Sequence, residues 1–274
     1  MTRLGLTLRL VLVGAAFIVA APVQAAANRF GWPIARTLPV AFHRLVLRLL
    51  DIRVHVRGLP PGPEQPTLIV ANHVSWLDIF VMSALAPLAF IAKQEIAGWP
   101  VIGFCARLQR CVFLDRSRKA ATAEVNAVVG RRLAEGDLIV LFPEGTTGDG
   151  IRLLPFRSSL IGAARAALAD PRLDAIALQP LAIVYARRNG LPLGRAGMPE
   201  LAWYGDMELA PHLSGFLRGG PADVVAAWGA PIPFGAGSDR KRATAVAEAA
   251  VRDAIEDVRA GRGPPPILLR RRKS

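Results

Sequence analysis

Cysteine is nearly absent from this chain: Cys105 and Cys111 are the only two in 274 residues. That excludes a disulfide scaffold and leaves two buried free thiols in a reducing compartment as the reading. Histidine is also scarce, with four in all. His43, His55 and His212 stand far apart without ligand spacing, so no metal site is expected. Aromatics make up only 7%, and neither a zinc-finger spacing nor an aromatic RNA-binding signature occurs, which sets nucleic acid aside as a partner. No Gly-x-Ser-x-Gly elbow is present, which argues against a serine hydrolase. Acidic residues are few: 21 Asp+Glu stand against 34 Lys+Arg, a formal charge of +13 on a chain that is 52% hydrophobic. A basic, apolar chain suits an anionic lipid surface, where each Lys or Arg contributes roughly 1 kcal/mol.

What is present concentrates in two short blocks, each at the end of an apolar run. Thr67 to Ala71 reads as a buried strand and runs into Asn72-His73-Val74-Ser75-Trp76-Leu77-Asp78. Residues five apart on one helix diverge, so His73 and Asp78 meet only if the helix begins at about Ser75 and His73 lies in the turn before it. Ser75 then serves as N-cap, with Asp78 as a short capping-box partner. The carboxylate would fix the tautomer of the ring and leave its other nitrogen to take a proton from a hydroxyl. In the alternative, Asp78 only caps the helix and His73 is a turn residue. The second block follows the apolar run Leu138 to Phe142 and reads Phe142-Pro143-Glu144-Gly145-Thr146-Thr147-Gly148-Asp149-Gly150. Proline, glutamate and three glycines after a strand make a rigid loop whose amides can approach a ligand, or else an ordinary turn.

With two further blocks, the chain resembles the glycerolipid acyltransferases typified by bacterial 1-acylglycerol-3-phosphate acyltransferase. One block is Lys93-Gln94-Glu95, Pro100 and Gly103 through Phe113-Leu114-Asp115-Arg116, and the other is Gln179-Pro180-Leu181 in a hydrophobic strand. The resemblance covers about residues 65 to 185. It implies transfer of a fatty acyl group from a thioester to the free hydroxyl of a lysolipid, with His73 as general base, Asp78 orienting it and no acyl-enzyme. It also implies that Glu144, Gly145 and Thr146 shape the acceptor site and that Arg116 meets the acceptor head group. On the residues alone, Arg116 also reads as a solvated charge beside Arg118 and Lys119. No cofactor is implied beyond the donor, an acyl carrier protein or coenzyme A thioester.

One position departs from the family pattern. Many members carry arginine after the Glu-Gly-Thr segment, and here that residue is Thr147, so a bidentate phosphate contact is missing. Arg152 and Arg157 are the substitutes to consider. The extended loop, the Pro155-Phe156-Arg157-Ser158-Ser159 segment and the later Trp203-Tyr204-Gly205-Asp206-Met207 resemble the branch that acylates lyso-ornithine lipid. Asp149 or Asp206 would meet the amine of that acceptor, with Thr147 and Arg157 as further head-group contacts. The alternative is a dedicated 1-acyl-sn-glycerol-3-phosphate acyltransferase making phosphatidic acid.

Leu10 to Ala27 is apolar except for Gln24, about the minimum length for a membrane-spanning helix. The same stretch, ending Val23-Gln24-Ala25-Ala26, also resembles a signal peptide. An uncleaved anchor is favoured because Trp32, Arg36, His43, Arg44 and Arg48 interleave with apolar residues through Leu50, as in an interfacial helix. Acyl donors are cytoplasmic, so the expected location is the inner membrane with the site facing the cytoplasm. Positive charge flanks both ends of the apolar run, a pattern that a re-entrant or monotopic helix pair satisfies better than one simple span. Residues 1–50 therefore read as membrane anchor and interfacial helix, 51–262 as an acyltransferase domain, and 263–274 as a basic tail that either touches the membrane or is solvated. Seven strand-like runs alternate with helix-like stretches, notably Lys119 to Ala134, Ser158 to Ala169 and Lys241 to Arg259. That pattern predicts an α/β fold with a central, mostly parallel or mixed sheet flanked by helices.

Overall fold

The computed structural model describes residues 3–62, 65–114 and 119–269. The chain opens with two helices, α1 (Arg3–Phe30) and α2 (Ile34–Leu49), then enters strands β1 (Ile52–Arg57) and β2 (Thr67–Ala71). Helix α3 (Leu77–Leu85), β3 (Leu88–Lys93), α4 (Pro100–Leu108), β4 (Val112–Leu114), α5 (Lys119–Ala134) and β5 (Leu138–Leu141) follow. Next come α6 (Gly162–Ala167), the long β6 (Ala175–Arg188), β7 (Leu191–Pro192), α7 (Leu209–Arg218) and β8 (Ala222–Trp228). The described chain ends with β9 (Ile232–Gly235), α8 (Arg240–Arg259) and β10 (Ile267–Leu268).

The strands form one mixed sheet in the order β10-β1-β8-β6-β2-β5-β3-β4, with β7 and β9 also paired to β6. The stretch from β6 to β4 is parallel, and β8 joins β6 antiparallel. Side chains alternate between two cores, as a period of two requires. Leu68 and Val70 of β2 face α5, α6 and α8, while Ile69 and Ala71 face α2 and α3. Covered on both sides, β2 and β8 are buried at every position, which is why both read as apolar runs apart from Asp223 of β8, whose carboxylate is paired with Arg53 and His55 of β1. The segment 158–169 holds a shorter helix than expected, because turns precede Gly162. Cys105 and Cys111 are free thiols, and burial pushes the Cys111 thiol up to about 12.

Register explains where the two blocks land. Val70 of β2 pairs with Leu141 of β5 on one side and with Pro180 of β6 on the other. His73 and Glu144 each follow their registered residue by three positions, so they leave the sheet at the same level and on the same edge, where loops beyond the carboxyl ends of strands meet.

Helix α1 is long and apolar enough to cross a membrane, and it is docked on the rest of the protein along its length. Near its start Arg9 pairs with Asp51 and donates to the Leu49 carbonyl at 3.1 Å. In its middle Phe17 packs against Phe42 of α2 and Phe104 of α4, at 5.9 and 6.4 Å between ring centroids. Near its end Gln24 and Asn28 both donate to the Leu108 carbonyl, at 3.2 and 3.0 Å. Ala21 and Ala27 are buried beneath it, and Leu4, Leu8, Val11, Ile18 and Val19 form its exposed face.

Candidate active site

Asp78 sits in the first turn of α3 with no exposure to solvent. Its Oδ2 accepts from the amides of Val74 and Ser75, at 2.7 and 2.9 Å, and from Nδ1 of His73 at 2.8 Å. Its Oδ1 accepts from the Tyr185 hydroxyl at 2.6 Å. The N-cap of α3 is Trp76 and not the expected Ser75: Asp78 reaches back to the Ser75 amide, but its own amide donates to the Ser75 carbonyl at 3.1 Å, and Ser75 Oγ accepts only a long bond of 3.4 Å from the Leu77 amide. Capping and orientation of the histidine are therefore done by one side chain. The helix begins only at Leu77, which leaves His73 in the turn and lets the five-residue spacing close.

An ionised carboxylate only accepts, so the nitrogen facing it must donate. The proton of a neutral His73 ring is thereby fixed on Nδ1, and Nε2 carries the lone pair. The ring lies flat on Phe142, 4.0 Å between centroids with planes 15° apart, and Phe142 in turn stacks at 6.1 Å on Phe90. Its position is set by a stack on one side and a hydrogen bond at one edge, and the side chain remains 20% exposed.

Glu144 ties the two blocks together. It is buried, and its Oε1 accepts from the His73 amide at 2.6 Å while Oε2 accepts from the Leu154 amide at 3.0 Å. Burial pushes its carboxyl up to about 7; the two amides oppose the rise, and nearby Asp78 and Glu248 add to it. The Gly148 amide donates to the His73 carbonyl at 2.8 Å, closing the two turns on each other. At Gly150 (φ +69°) a Cβ would lie 2.8 Å from Val74 and 2.9 Å from Met198, so only glycine lets this loop approach the histidine turn. A small recess opens beside these residues, with His73, Glu144, Arg152, Leu153 and Arg259 in its wall.

The structure brings some expected residues together and leaves others apart. Gly145 takes a positive φ in the turn, Thr146 is exposed and Thr147 half-buried. Arg157 is exposed, held by its amide on the Pro143 carbonyl at 2.9 Å. Asp149 Oδ1 accepts from the amides of Ile151 and Arg152, at 2.8 and 2.9 Å. The Trp203 amide donates to the Val74 carbonyl at 2.9 Å, which sets the Trp203–Met207 segment against the histidine turn, with Asp206 exposed. Arg116 lies outside the described residues.

Sequence reasoning missed Tyr185, Phe142 and Arg259 as parts of this site. Tyr185 is one of only two tyrosines, at the end of an otherwise apolar run, and that oddity was the available signal. Strand β6 runs on to Arg188 past Leu181, which pairs with the last residue of β2, and so carries Tyr185 behind the histidine turn. Nothing local in the sequence marks Arg259, which reaches from α8 to donate to the carbonyls of Ile151 and Gly150.

A family model described as Acyltransferase matches residues 53–184. A lyso-ornithine lipid O-acyltransferase of Brucella abortus is 45% identical over 233 residues, covering 85% of this chain and 86% of that protein. The chain belongs to the acyltransferase family. A second lyso-ornithine lipid O-acyltransferase, from Rhizobium meliloti, is 40% identical to this acyltransferase over 89% of the chain and 84% of its own length. A 1-acyl-sn-glycerol-3-phosphate acyltransferase of Neisseria meningitidis is 45% identical, but over only 44% of the chain and 48% of that protein. The fold is shared with the crystal structure of a 1-acyl-sn-glycerophosphate acyltransferase from Thermotoga maritima, at a TM-score of 0.61 and 22% identity over 93% of this acyltransferase and 95% of that chain.

Two outcomes follow for the acyltransferase. Tyr185→Phe leaves Asp78 Oδ1 buried without a donor, a defect of about 1–3 kcal/mol. It should lower kcat by roughly tenfold with little change in KM for the thioester, and a change in KM alone would contradict a role through Asp78. The fold favours protonated Glu144, so this contribution to stability is complete below its ordinary value of 4.5 and is lost as pH rises through about 7. Glu144→Gln should lower the thermal midpoint at acid pH, because one amide loses its acceptor, and flatten the fall of the midpoint across that window. An unchanged slope would contradict the assignment.

Proposed function

We propose that this acyltransferase esterifies the free hydroxyl of lyso-ornithine lipid with a fatty acyl group from an acyl carrier protein or coenzyme A thioester, and that it does so on the cytoplasmic face of the inner membrane. Nε2 of His73 takes the hydroxyl proton as the oxygen attacks the thioester carbonyl. The new C–O bond replaces the C–S bond, and the proton passes from the imidazolium to the departing thiolate. Asp78 holds the ring and faces the imidazolium that forms. Base catalysis of this kind contributes about 10²- to 10⁴-fold, and placement of the two substrates supplies much of the rest. No cofactor enters this scheme.

The choice of acceptor is carried by one observation: the likeness to lyso-ornithine lipid O-acyltransferases runs over 85 and 89% of the chain, whereas the likeness to the Neisseria 1-acyl-sn-glycerol-3-phosphate acyltransferase covers 44%. Thr147 stands where a phosphate-pairing arginine would be expected, in agreement with this. An ornithine head group carries an amine and a carboxylate. In this reading Asp206, on the segment whose Trp203 amide bonds to Val74, would meet the amine, and Arg152 and Arg259 of the recess wall would meet the carboxylate. Arg116, Gly145 and Thr146 complete the acceptor side in this reading.

The tethers of α1 support a monotopic attachment. Arg9 and Gln24 are about 22 Å apart on the helix axis, and both are bonded to the catalytic domain. A helix held that way offers its exposed apolar face to one leaflet.

Purified enzyme given lyso-ornithine lipid and lysophosphatidate separately should acylate the former, and strict use of lysophosphatidate would refute the acceptor assignment. His73→Ala should reduce turnover by at least about a hundredfold while leaving the protein on membranes. Full activity in that variant would refute the base.

A further inference from the structure

At the pole of the sheet opposite His73, three arginines converge on one carboxylate. Asp137, immediately before β5 and 6% exposed, accepts from Arg36 Nη2 at 3.1 Å, Arg110 Nη2 at 2.8 Å and Arg132 Nε at 2.8 Å. The guanidiniums come from α2, from the end of α4 and from α5. Three positive charges against one negative leave a formal excess of two, and each guanidinium has more donors than a single carboxylate can satisfy. Two further bonds go to backbone carbonyls, from Arg132 Nη1 to Arg110 at 2.5 Å and from Arg36 Nη2 to Glu135 at 3.2 Å. The arginines line a small surface recess, whose wall also includes Ala35, Gln109 and Asp137.

Arg110 occupies this place under strain. It has φ +60° at the end of α4, where the Cys111 amide reaches back to the Ala106 carbonyl at 2.9 Å. That helix ending is the one glycine fits best, and here a charged side chain holds it.

The recess also sits at the elbow of the α1–α2 hairpin. Phe30, Trp32 and Ile34 are exposed there; Trp32 stacks on Phe30 at 5.6 Å and the Arg29 guanidinium lies 6.0 Å from the Phe30 ring. Aromatic and cationic side chains next to an exposed apolar helix face are the composition of a membrane–water boundary. The charge excess lies beside this boundary-like cluster, at the end of the exposed apolar face of α1.

We propose that this recess binds the phosphate of an anionic phospholipid head group, a site separate from the catalytic recess that fixes how the enzyme sits on the bilayer. The proposal rests on the monotopic reading of α1. Arg36, half-exposed and on a helix surface, is the residue to change with least harm to the fold.

The full chain is bound to vesicles of phosphatidylcholine alone and of phosphatidylcholine mixed with phosphatidylglycerol. Wild type should bind both and prefer the mixed vesicles. Arg36→Gln should lose roughly fivefold of that preference while binding neutral vesicles as before. Arg36→Lys should keep most of it, and Lys241→Gln, on exposed α8, should keep all of it. An Arg36→Gln preference equal to wild type would overturn the proposal. Inorganic phosphate should weaken the preference more than potassium chloride of equal ionic strength, because it competes for the same donors; equal loss in both would mean that diffuse charge and not the recess sets the preference, and would also overturn the proposal. Failure of wild type to bind either vesicle would refute the monotopic reading, and the proposal with it, and would be distinct from failure of the arginine variant.

Discussion

A carboxylate with no access to water is stable only if donors replace the water it lost, and Asp78 meets four: two amides, a phenol and an imidazole. The two amides belong to the turn that carries His73, so the same contacts that make the buried charge tolerable also wind the turn and aim the ring. Tyr185 closes the set from a strand more than a hundred residues away in the chain. The chemistry of the site and the folding of the β2–α3 connection are thus one arrangement. Glu144 extends it by accepting from the backbone of His73 and from Leu154, which couples the histidine turn to the loop expected to form the acceptor side.

Much of this was legible in the sequence because it is local or strongly periodic. Strand β2 was read at its observed bounds, Thr67 to Ala71, because burial on both faces makes it uniformly apolar. The His73–Asp78 pairing was legible because a five-residue spacing closes only around a helix start, and the start falls at Leu77. His73 and Glu144 each follow an apolar run in the sequence, and the register of the two strands brings them to one edge. Tyr185, Arg259 and the stacking partner Phe142 were not found, since their roles depend on how far β6 overruns β2 and where α8 ends, which no short motif encodes. Expected helix beginning at Ser158 is turn instead up to Gly162; there the amides of Phe156 and Arg157 bond to Glu248 and to the Pro143 carbonyl, tertiary contacts that local propensity does not see. The three arginines around Asp137 come from three helical segments and look like ordinary surface charge until the fold assembles them.

The hairpin of α1 and α2 relates the two poles of the molecule. Its first helix runs from Asp51, beside the start of β1 at the catalytic edge, to Leu108, next to the arginine recess. In the monotopic attachment proposed above, a helix in that position would set the catalytic turn and the elbow along one membrane surface. The length of the likeness to lyso-ornithine lipid O-acyltransferases is what favours that acceptor in the proposed function.

The central claim is that Asp78 fixes the His73 proton on Nδ1 and leaves Nε2 as the base. Nitrogen NMR of protein labelled in its histidine rings, with the His73 signals assigned by their loss in His73→Gln, tests it most directly. The expected result is a proton on Nδ1 and an unprotonated Nε2 in the wild type, an arrangement that Asp78→Asn abolishes together with turnover. A ring protonated on Nε2, or one whose state and activity are unchanged by Asp78→Asn, would contradict the account.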